Sequence, residues 1–346
     1  MPDPATPCAI SIVILNYQGR DVLEACLASV AAQTRPAHEV IVVDNASPDG
    51  SGALAAELCQ RHGFRFVASP INGGYSAGNA LGIREATGTW LLLLNNDAEL
   101  DPGALGALEA AILAQPDVAM FSTCIVSHED PGTIDTLGIA PYRDGMSRGL
   151  ARLEPIAAHR EAREVFAPSG CAGLYRRDVY EESGGLPEVF FAYCEDFDLG
   201  LRFRWMGHRC MLVPEAIVRH RYSAAAGRYS AFKAYLVERN HLWVRLRLLP
   251  LGMVLASPWH SLLRYGLQAW GVLTGKGSAG KFRQEGGGAL ELAGILLRAY
   301  GDTLKALPRL LWERRQLRSL RRVPPAAIRQ AIRTFGLSAR ELALKD

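Results

Sequence analysis

The sequence predicts an α/β fold, a parallel β-sheet covered by helices on both faces, and three observations indicate it. In the first 125 residues, short apolar runs alternate with segments of helical periodicity. Hydrophobic residues make up 49% of the chain and charged residues 21%, which supports a large core and excludes a disordered or fibrous protein. The length of 346 residues favours two domains.

Four strands and three helices are predicted in alternating order in this first part. The strands are apolar runs, at 9–15, 40–43, 64–67 and 90–94. The helices have apolar residues at helical spacing, at 21–32, about 51–61 and about 76–86. Asp21 is the expected N-cap of the first helix. In such a sheet, the loops at the carboxyl ends of the strands form the ligand crevice.

The pattern is less regular between residues 126 and 225. Strand-like pieces are predicted at 165–167, 211–213 and 217–220. An amphipathic helix is expected near 195–206, with Phe197, Leu201 and Trp205 on one face.

Charge divides the chain at about residue 225. Residues 1–225 carry 17 Lys and Arg against 28 Asp and Glu, a net charge of −11, whereas residues 226–346 carry 21 against 7, a net charge of +14. We therefore expect a catalytic α/β domain over 1–225, with halves at about 8–125 and 126–225. A basic helical region with different partners should follow over 226–346.

No run in the C-terminal region is expected to cross a membrane. The longest uncharged run, 248–263, has 16 residues and is interrupted by prolines, whereas about 20 apolar residues are needed. Trp259 and Trp270 near arginines are typical of segments that lie in a membrane interface. Five arginines also cluster within nine residues: Arg314, Arg315, Arg318, Arg321 and Arg322.

These features predict peripheral binding to an anionic membrane surface. A helical subdomain packed on the catalytic part, or a dimer interface, is the alternative. Nucleic acid is not an expected partner, because no recognised nucleic-acid module accompanies the charge.

Cysteine usage and the N-terminus bear on location. Seven cysteines are scattered without a CxxC pair, which argues against a disulfide scaffold or a zinc ribbon and favours a reducing compartment. The N-terminus lacks the basic start and apolar core of a signal peptide. We therefore expect a cytoplasmic protein, peripheral on the inner face of the cytoplasmic membrane.

Polar residues follow two of the predicted strands. Asp44 ends the second strand and could accept hydrogen bonds from a ring N–H or a ribose hydroxyl, although a strand-end Asp is also a common turn former. Asn95, Asn96 and Asp97 follow the fourth strand. A carboxylate there can hold a divalent cation with its phosphate oxygens, but the run also suits a polar turn.

Two further candidates lie in the second half. Glu195, Asp196 and Asp198 begin the amphipathic helix, where acids complement the helix dipole. Three acids repel one another, so one of them aimed into a cleft could act as a general base. His220 is either a structural histidine or a second metal ligand.

Six segments follow one another along the chain in a characteristic order. They are SIVILNYQG (11–19), IVVDNASPDGS (41–51), NGGYSAGNALG (72–82), WLLLLNND (90–97), SGCAGLYRR (169–177) and GGLPEVFFAYCEDFDLGLR (184–202). Together they resemble the motifs of glycosyltransferase family 2, especially its bacterial rhamnosyltransferase-like enzymes. The resemblance covers about residues 8–240. It implies the GT-A fold, a nucleotide-binding α/β sheet fused to an acceptor-binding part.

The resemblance implies a role for each candidate. Asp44 would contact the nucleotide base. Asp97, at the position of the DXD motif, would bind Mg²⁺ or Mn²⁺, with His220 as a further ligand. Asp196 would deprotonate the acceptor hydroxyl, and Glu195 would help to position the acceptor. The residues expected around the nucleotide are Asn16, Asp44, Asn45, Asn72, Gly73, Asn79, Asn95 and Asn96.

Position 95 departs from the family pattern, because Asn replaces the first Asp of DXD. An amide is a weaker ligand for a hard cation, so metal affinity without the diphosphate should be low. The resemblance implies an inverting glycosyltransferase that moves a sugar from a nucleotide-diphosphate donor to a hydroxyl of a lipid-linked or growing glycan. Rhamnose from dTDP-rhamnose is one candidate donor.

Two other functions stay open. A sugar nucleotidyltransferase shares the sheet and the metal, but it needs a Gly-rich basic loop after the first strand, and residues 16–20 contain one Gly. A non-catalytic scaffold that binds nucleotide or lipid is supported by Asn95. The Glu195–Asp196 pair and His220 argue against such a scaffold.

Overall fold

A computed structural model describes residues 8–221, 230–277, 280–281 and 288–345. Twelve strands lie in the described residues: β1 (Ile10–Asn16), β2 (Glu39–Asp44), β3 (Arg65–Ala68), β4 (Trp90–Asn95), β5 (Ala98–Leu100), β6 (Met120–Ser127), β7 (Ile134–Thr136), β8 (Ile139–Pro141), β9 (Ser147–Gly149), β10 (Glu164–Val165), β11 (Ala172–Arg176) and β12 (Cys210–His220). Ten of them form one sheet in the order β10-β12-β6-β11-β4-β1-β2-β3, with β5 paired to β12 and β7 to β6. Strands β8 and β9 form a separate hairpin.

The parallel sheet predicted over the first 125 residues is confirmed for its four strands, and the strands beyond them make the whole sheet mixed. β1 pairs in parallel with β2 and with β4, and β2 pairs in parallel with β3. β11 is antiparallel to both β4 and β6, so the sheet is mixed. The pieces predicted at 211–213 and 217–220 are one strand, β12, with a register shift between Val213 and Ile217. Pro214 lies in that interval, and proline cannot donate a ladder hydrogen bond.

Six helices cover the sheet: α1 (Leu23–Ala31), α2 (Ser51–His62), α3 (Gly74–Glu85), α4 (Ala104–Ala114), α5 (Arg177–Glu182) and α6 (Glu195–Trp205). The prediction of Asp21 as an N-cap is wrong, because α1 starts after Val22 and no side chain caps it. Instead, the N–H groups of Val22 and Leu23 donate to the Gly19 carbonyl, at 3.1 and 2.9 Å.

Both faces of the sheet are covered, as the apolar run of β1 predicts. Ile12 and Ile14 pack with α1, α2 and α4 on one face. Val13 and Leu15 pack with α3 and α6 on the other. Because all four side chains are buried, β1 is a central strand whose carboxyl end opens onto the crevice.

The C-terminal region is helical, as predicted, in the residues that the structure describes. Its helices are α7 (Ala231–Leu248), α8 (Leu251–Thr274), α9 (Ala289–Gln316), α10 (Pro325–Thr334) and α11 (Ala339–Leu344). The predicted apolar face of α6 packs against α7, α9 and α10 in a third core, so this region is joined to the sheet domain. No helix in the described ranges combines the length and the apolarity needed to cross a bilayer.

Candidate active site

Asn16 joins three strand ends at the crevice edge of the sheet. It is completely buried at the end of β1, in register with Asp44 of β2. Its amide nitrogen donates to Asp44 Oδ1 at 2.8 Å and to Ser51 Oγ at 3.0 Å. Its amide oxygen accepts from Asn96 Nδ2 at 3.0 Å. Three residues predicted at the nucleotide, Asn16, Asp44 and Asn96, therefore lie in one hydrogen-bonded group.

Asp44 is held by the turn that follows it. Its carboxylate accepts from Ser47 Oγ at 2.6 Å and from the Ser47 backbone N–H at 3.2 Å. A Cβ at Gly52 would lie 2.7 Å from Asp44 Oδ2, so the site requires glycine there. Sequence reasoning missed Ser47, Ser51 and Gly52, and the turn-rich run after Asp44 was the available signal.

Asn45 and Asn72 brace the loop that leads into α3. Asn45 Nδ2 donates to Asn72 Oδ1 at 2.9 Å, and Asn45 Oδ1 accepts from the Gly73 N–H at 3.1 Å. Asn79, one turn further along α3, donates to the Tyr75 carbonyl at 3.0 Å. These amides act on the protein itself, so they shape the wall of the crevice. A direct contact of Asn45, Asn72, Gly73 or Asn79 with nucleotide stays a prediction.

Asp97 and His220 face each other across the sheet edge. Asp97 Oδ1 lies 3.3 Å from His220 Nε2, and Asp135 Oδ2 lies 2.6 Å from His220 Nδ1. Arg152 in turn contacts Asp135. Burial opposes a charge on His220, but Cys171 and hydrogen bonds with Asp135 and Asp97 raise its pKa well above the ordinary value. Sequence reasoning missed Asp135 and Arg152, whose link to His220 is visible only in three dimensions.

The chemistry of this pair fits a divalent metal. Carboxylate oxygen and imidazole nitrogen are ordinary ligands for Mn²⁺, and Mg²⁺ usually takes one or two protein ligands together with substrate phosphates. Asp135 at Nδ1 is the second-shell partner that would orient His220, and Nε2 could bind a metal once the ion displaces its proton. No group of three or more His, Cys, Asp or Glu suited to a metal occurs among the described residues. Asp97 and His220 therefore stay the predicted ligands of a metal.

The segment before β11 connects this pair to the predicted base. The Cys171 carbonyl accepts from the Asn95 N–H at 2.9 Å, and the Cys171 side chain lies near enough to His220 to raise its pKa. One residue earlier, the Gly170 N–H donates to Asp196 Oδ2 at 3.1 Å. Asp97, His220 and Asp196, far apart in sequence, therefore border the same short segment.

Glu195 and Asp196 begin α6 in different surroundings. Asp196 is half-buried and accepts from the Gly170 and Phe197 N–H groups, at 3.1 and 2.7 Å. Burial raises its pKa, and these hydrogen bonds oppose the rise. Glu195 is buried, and its Oε2 has no hydrogen-bond partner among the described residues. Burial and the charge of Asp196 raise the pKa of Glu195 well above the ordinary value, which favours the protonated form of Glu195.

A strained loop sets the position of α6. Phe191, Tyr193 and Cys194 have positive φ angles of 68°, 71° and 65°, which cost free energy in non-glycine residues. Asn240 of α7 is completely buried, and the two N–H donors of its Nδ2 lie within hydrogen-bond distance of three carbonyls of this loop. The accepting carbonyls belong to Phe190 at 3.0 Å, Ala192 at 2.8 Å and Tyr193 at 2.8 Å. A helix of the C-terminal region thus holds the residues that precede Glu195.

Comparisons of the sequence with known proteins find a matching family and similar enzymes. The model of the family described as glycosyl transferase family 2 matches residues 11–184, about half of the chain. The chain is 27% identical over 270 residues to an N-acetylglucosaminyl-diphospho-decaprenol L-rhamnosyltransferase of Mycobacterium tuberculosis, covering 68% of this chain and 86% of that protein.

Two solved structures are similar in fold. One is GalNAc-T7 with UDP, GalNAc and Mn²⁺, with a TM-score of 0.56 and 18% identity over 68% of this chain and 47% of that one. The other is the mannosyltransferase PcManGT of Pyrobaculum calidifontis with GDP-Man and Mn²⁺. Its TM-score is 0.53, at 18% identity over 97% of this chain and 89% of that one.

Proposed function

The chain belongs to glycosyl transferase family 2, and on that premise we propose an inverting transferase that moves a sugar from a nucleoside-diphosphate donor to a glycan hydroxyl. One observation carries the proposal. The Asp97–His220 pair and Asp196 border the same segment, Gly170–Cys171, so a diphosphate and an acceptor hydroxyl can be held side by side.

The proposed reaction uses one carboxylate of this chain as the base. Asp196 accepts the proton of the acceptor hydroxyl as the hydroxyl oxygen bonds to the anomeric carbon. The bond from that carbon to the diphosphate oxygen breaks, and its electron pair leaves with the diphosphate. A single in-line displacement inverts the anomeric configuration and needs positioning but no covalent nucleophile. Glu195, which keeps its proton, can donate a hydrogen bond to the acceptor.

In this proposal Asp97 and His220 would hold Mg²⁺ or Mn²⁺. Such an ion would neutralise the negative charge that develops on the diphosphate. The Mn²⁺ complexes among the structural neighbours support metal dependence. Asn95 stands where an acidic ligand is usual, so affinity for the free ion should be weak.

The name of the M. tuberculosis relative guides the choice of substrates. It transfers L-rhamnose to an N-acetylglucosaminyl-diphospho lipid, by its name. For this chain we accordingly propose dTDP-rhamnose as donor and a lipid-linked glycan as acceptor. An acceptor of that kind places the enzyme at the inner face of the cytoplasmic membrane.

A donor panel tests the proposal. Thermal unfolding is measured with dTDP, UDP and GDP, each with Mg²⁺ or Mn²⁺, and dTDP is expected to stabilise most. Transfer is then followed by release of nucleoside diphosphate in the presence of acceptor. Release of pyrophosphate from a nucleoside triphosphate would instead establish a nucleotidyltransferase. Binding without any turnover of the matching nucleotide sugar would establish a scaffold.

A further inference from the structure

Helix α8 has its polar side buried and its apolar side exposed. The buried positions include Ser257, Ser261 and Arg264, each 3% exposed or less. The large side chains on the opposite side are 58–74% exposed, namely Leu251, Leu255, Trp259, Leu262, Trp270 and Leu273. A helix that packs on a protein and faces water has the reverse pattern. The outer side of α8 is therefore built for a medium other than water.

A buried ionic cluster fixes this orientation. Arg264 Nε lies 3.0 Å from Asp144 Oδ2, and its Nη2 lies 3.0 Å from Glu238 Oε1. Ser261 Oγ donates to Asp144 Oδ2 at 3.0 Å and accepts from Arg245 Nη2 at 2.9 Å. Rotation of α8 about its axis would take Arg264 away from both carboxylates. The apolar side is thus held outward by charge pairing on the inner side.

Helix α9 extends the exposed apolar area. Leucines spaced by seven residues, Leu290, Leu297, Leu304 and Leu311, are 51–90% exposed. The hydroxyls of Tyr265 on α8 and Tyr300 on α9 are 3.3 Å apart, so the two helices meet. The side chains of Arg298 and Lys305 on α9 are 70% and 82% exposed. We call the outer sides of α8 and α9 together the α8–α9 surface.

We propose that the α8–α9 surface lies in the interface of an anionic lipid bilayer, with α8 parallel to the membrane. Over a length of about 36 Å, α8 exposes no Asp, Glu, Lys or Arg side chain. The chain has six tryptophans, and the three exposed ones, Trp259, Trp270 and Trp312, all lie on α8 or α9. Tryptophan is enriched at membrane interfaces, and cations beside it attract anionic headgroups.

Charge favours a bilayer over a second copy of the chain. The region from 226 to 346 carries a net charge of +14, which repels a like-charged copy and attracts anionic lipid. The inference deepens the proposed function, because a lipid-linked acceptor is presented at such a surface. It also identifies the segment that makes the contact.

Flotation of the full chain with vesicles tests the inference without any sugar nucleotide. The chain should float with phosphatidylglycerol-containing vesicles and less with pure phosphatidylcholine. The double substitution Leu255→Glu/Trp259→Glu should lower the partition coefficient by about tenfold or more, because two apolar side chains can then no longer insert into the lipid. Leu113→Glu on α4 is the matched control, since Leu113 is 61% exposed and α4 packs in a different core from α8. It should float like the parent chain.

Tryptophan quenching by brominated lipid gives a second readout. Trp259, Trp270 and Trp312 should be quenched, while Trp90, Trp205 and Trp243, at most 5% exposed, should not. Equal flotation of the α8 variant and the parent, or no flotation of the parent, would overturn the inference. A concentration-dependent dimer that the α8 substitutions dissociate would also overturn it.

Activity separates this inference from the proposed function. The α8 variant should transfer sugar to a short-chain, water-soluble acceptor at the parent rate and lose transfer to a vesicle-embedded acceptor. If the α8 variant no longer binds vesicles but transfers sugar to the water-soluble acceptor at the parent rate, the proposed function stands. Vesicle binding without transfer to either acceptor leaves the surface assignment standing and removes the proposed function.

Discussion

The two parts of the chain differ in how many large hydrophobic side chains they expose. Among the described residues, the sheet domain (8–221) exposes four large hydrophobic side chains, whereas the helical region (230–345) exposes fourteen. Both parts bury a core of ordinary composition, so the helical region is not poorly packed. The sheet domain thus has the surface of a protein in water, whereas the exposed side chains of the helical region are those that the proposed membrane contact would cover.

Asp196→Asn should produce the largest loss of activity, and it tests whether the general base lies in the sheet domain. Loss of a general base lowers kcat by about 10²- to 10⁴-fold. Donor binding should be retained, because Asp196 hydrogen-bonds Gly170 and Phe197 rather than the Asp44 group. Steady-state kinetics and donor titration measure the two effects. A rate equal to that of the parent chain would remove the base assignment.

Arg264→Leu tests what holds the helical region to the sheet domain. The substitution leaves Asp144 and Glu238 buried without their shared cation, and breaking such a pair costs about 3–5 kcal/mol of unfolding free energy. Urea unfolding measures the loss. Arg35→Leu is the control, because the Arg35–Glu109 pair is exposed and its removal should change little. Equal stability of the two variants would mean that the buried cluster does not fix α8.

Local patterns predicted the first part of the sheet, and long-range pairing explains what they missed. The runs at β1, β2 and β4 have a turn or helix signal on each side, so each could be recognised alone. β11 lies between β4 and β6 in the sheet, although it follows β6 in the sequence by more than 40 residues. No local pattern encodes that pairing. The family resemblance, which uses motif order over the whole domain, is confirmed.

The candidate site was predicted residue by residue but not as a set of contacts. Motif positions identified Asp97 and His220, yet Asp135, 85 residues before His220, was found only from the structure. Composition placed Trp259 and Trp270 at a membrane interface. The side of α8 that faces outward depends on Arg264 meeting Asp144, 120 residues away. The roles assigned to the site residues remain predictions until they are measured.

Asn240→Leu tests a contact between the two parts of the chain, because Asn240 belongs to the helical region and hydrogen-bonds the loop that precedes the proposed base. Without its hydrogen bonds the strained loop before Glu195 can relax and displace Asp196. We expect kcat to fall about 10- to 100-fold, since small displacements of a reacting group are costly. The donor KM should stay unchanged.

Gln33→Leu distinguishes positioning by Asn240 from general destabilisation. Gln33 is similarly buried, and its amide donates to the Ser29 and Asp101 carbonyls, away from the base. This variant should lose stability and keep kcat at a temperature where both variants are folded. If the two variants lost kcat equally, Asn240 would have a structural role only.

Glu195→Gln should have the smallest effect, a gain in stability within the sheet domain. Glu195 has a raised pKa in the folded chain, so folded protein binds its proton more tightly than unfolded protein does. The stability of the parent chain is therefore lowered as pH rises above the ordinary Glu pKa of 4.5 and through the raised pKa of the folded chain. Gln has no charge to bury. The melting temperature of the Glu195→Gln variant should exceed that of the parent by roughly 2–4 °C for each kcal/mol of unfolding free energy gained at neutral pH.

The pH dependence of that difference identifies its cause. The gain should vanish below about pH 4.5, where Glu195 is protonated in folded and unfolded chains alike. Glu57→Gln supplies the comparison, because the Glu57 side chain is 66% exposed and its replacement should shift the melting temperature little at any pH. A gain that is independent of pH would contradict the burial of an unpartnered carboxyl at Glu195.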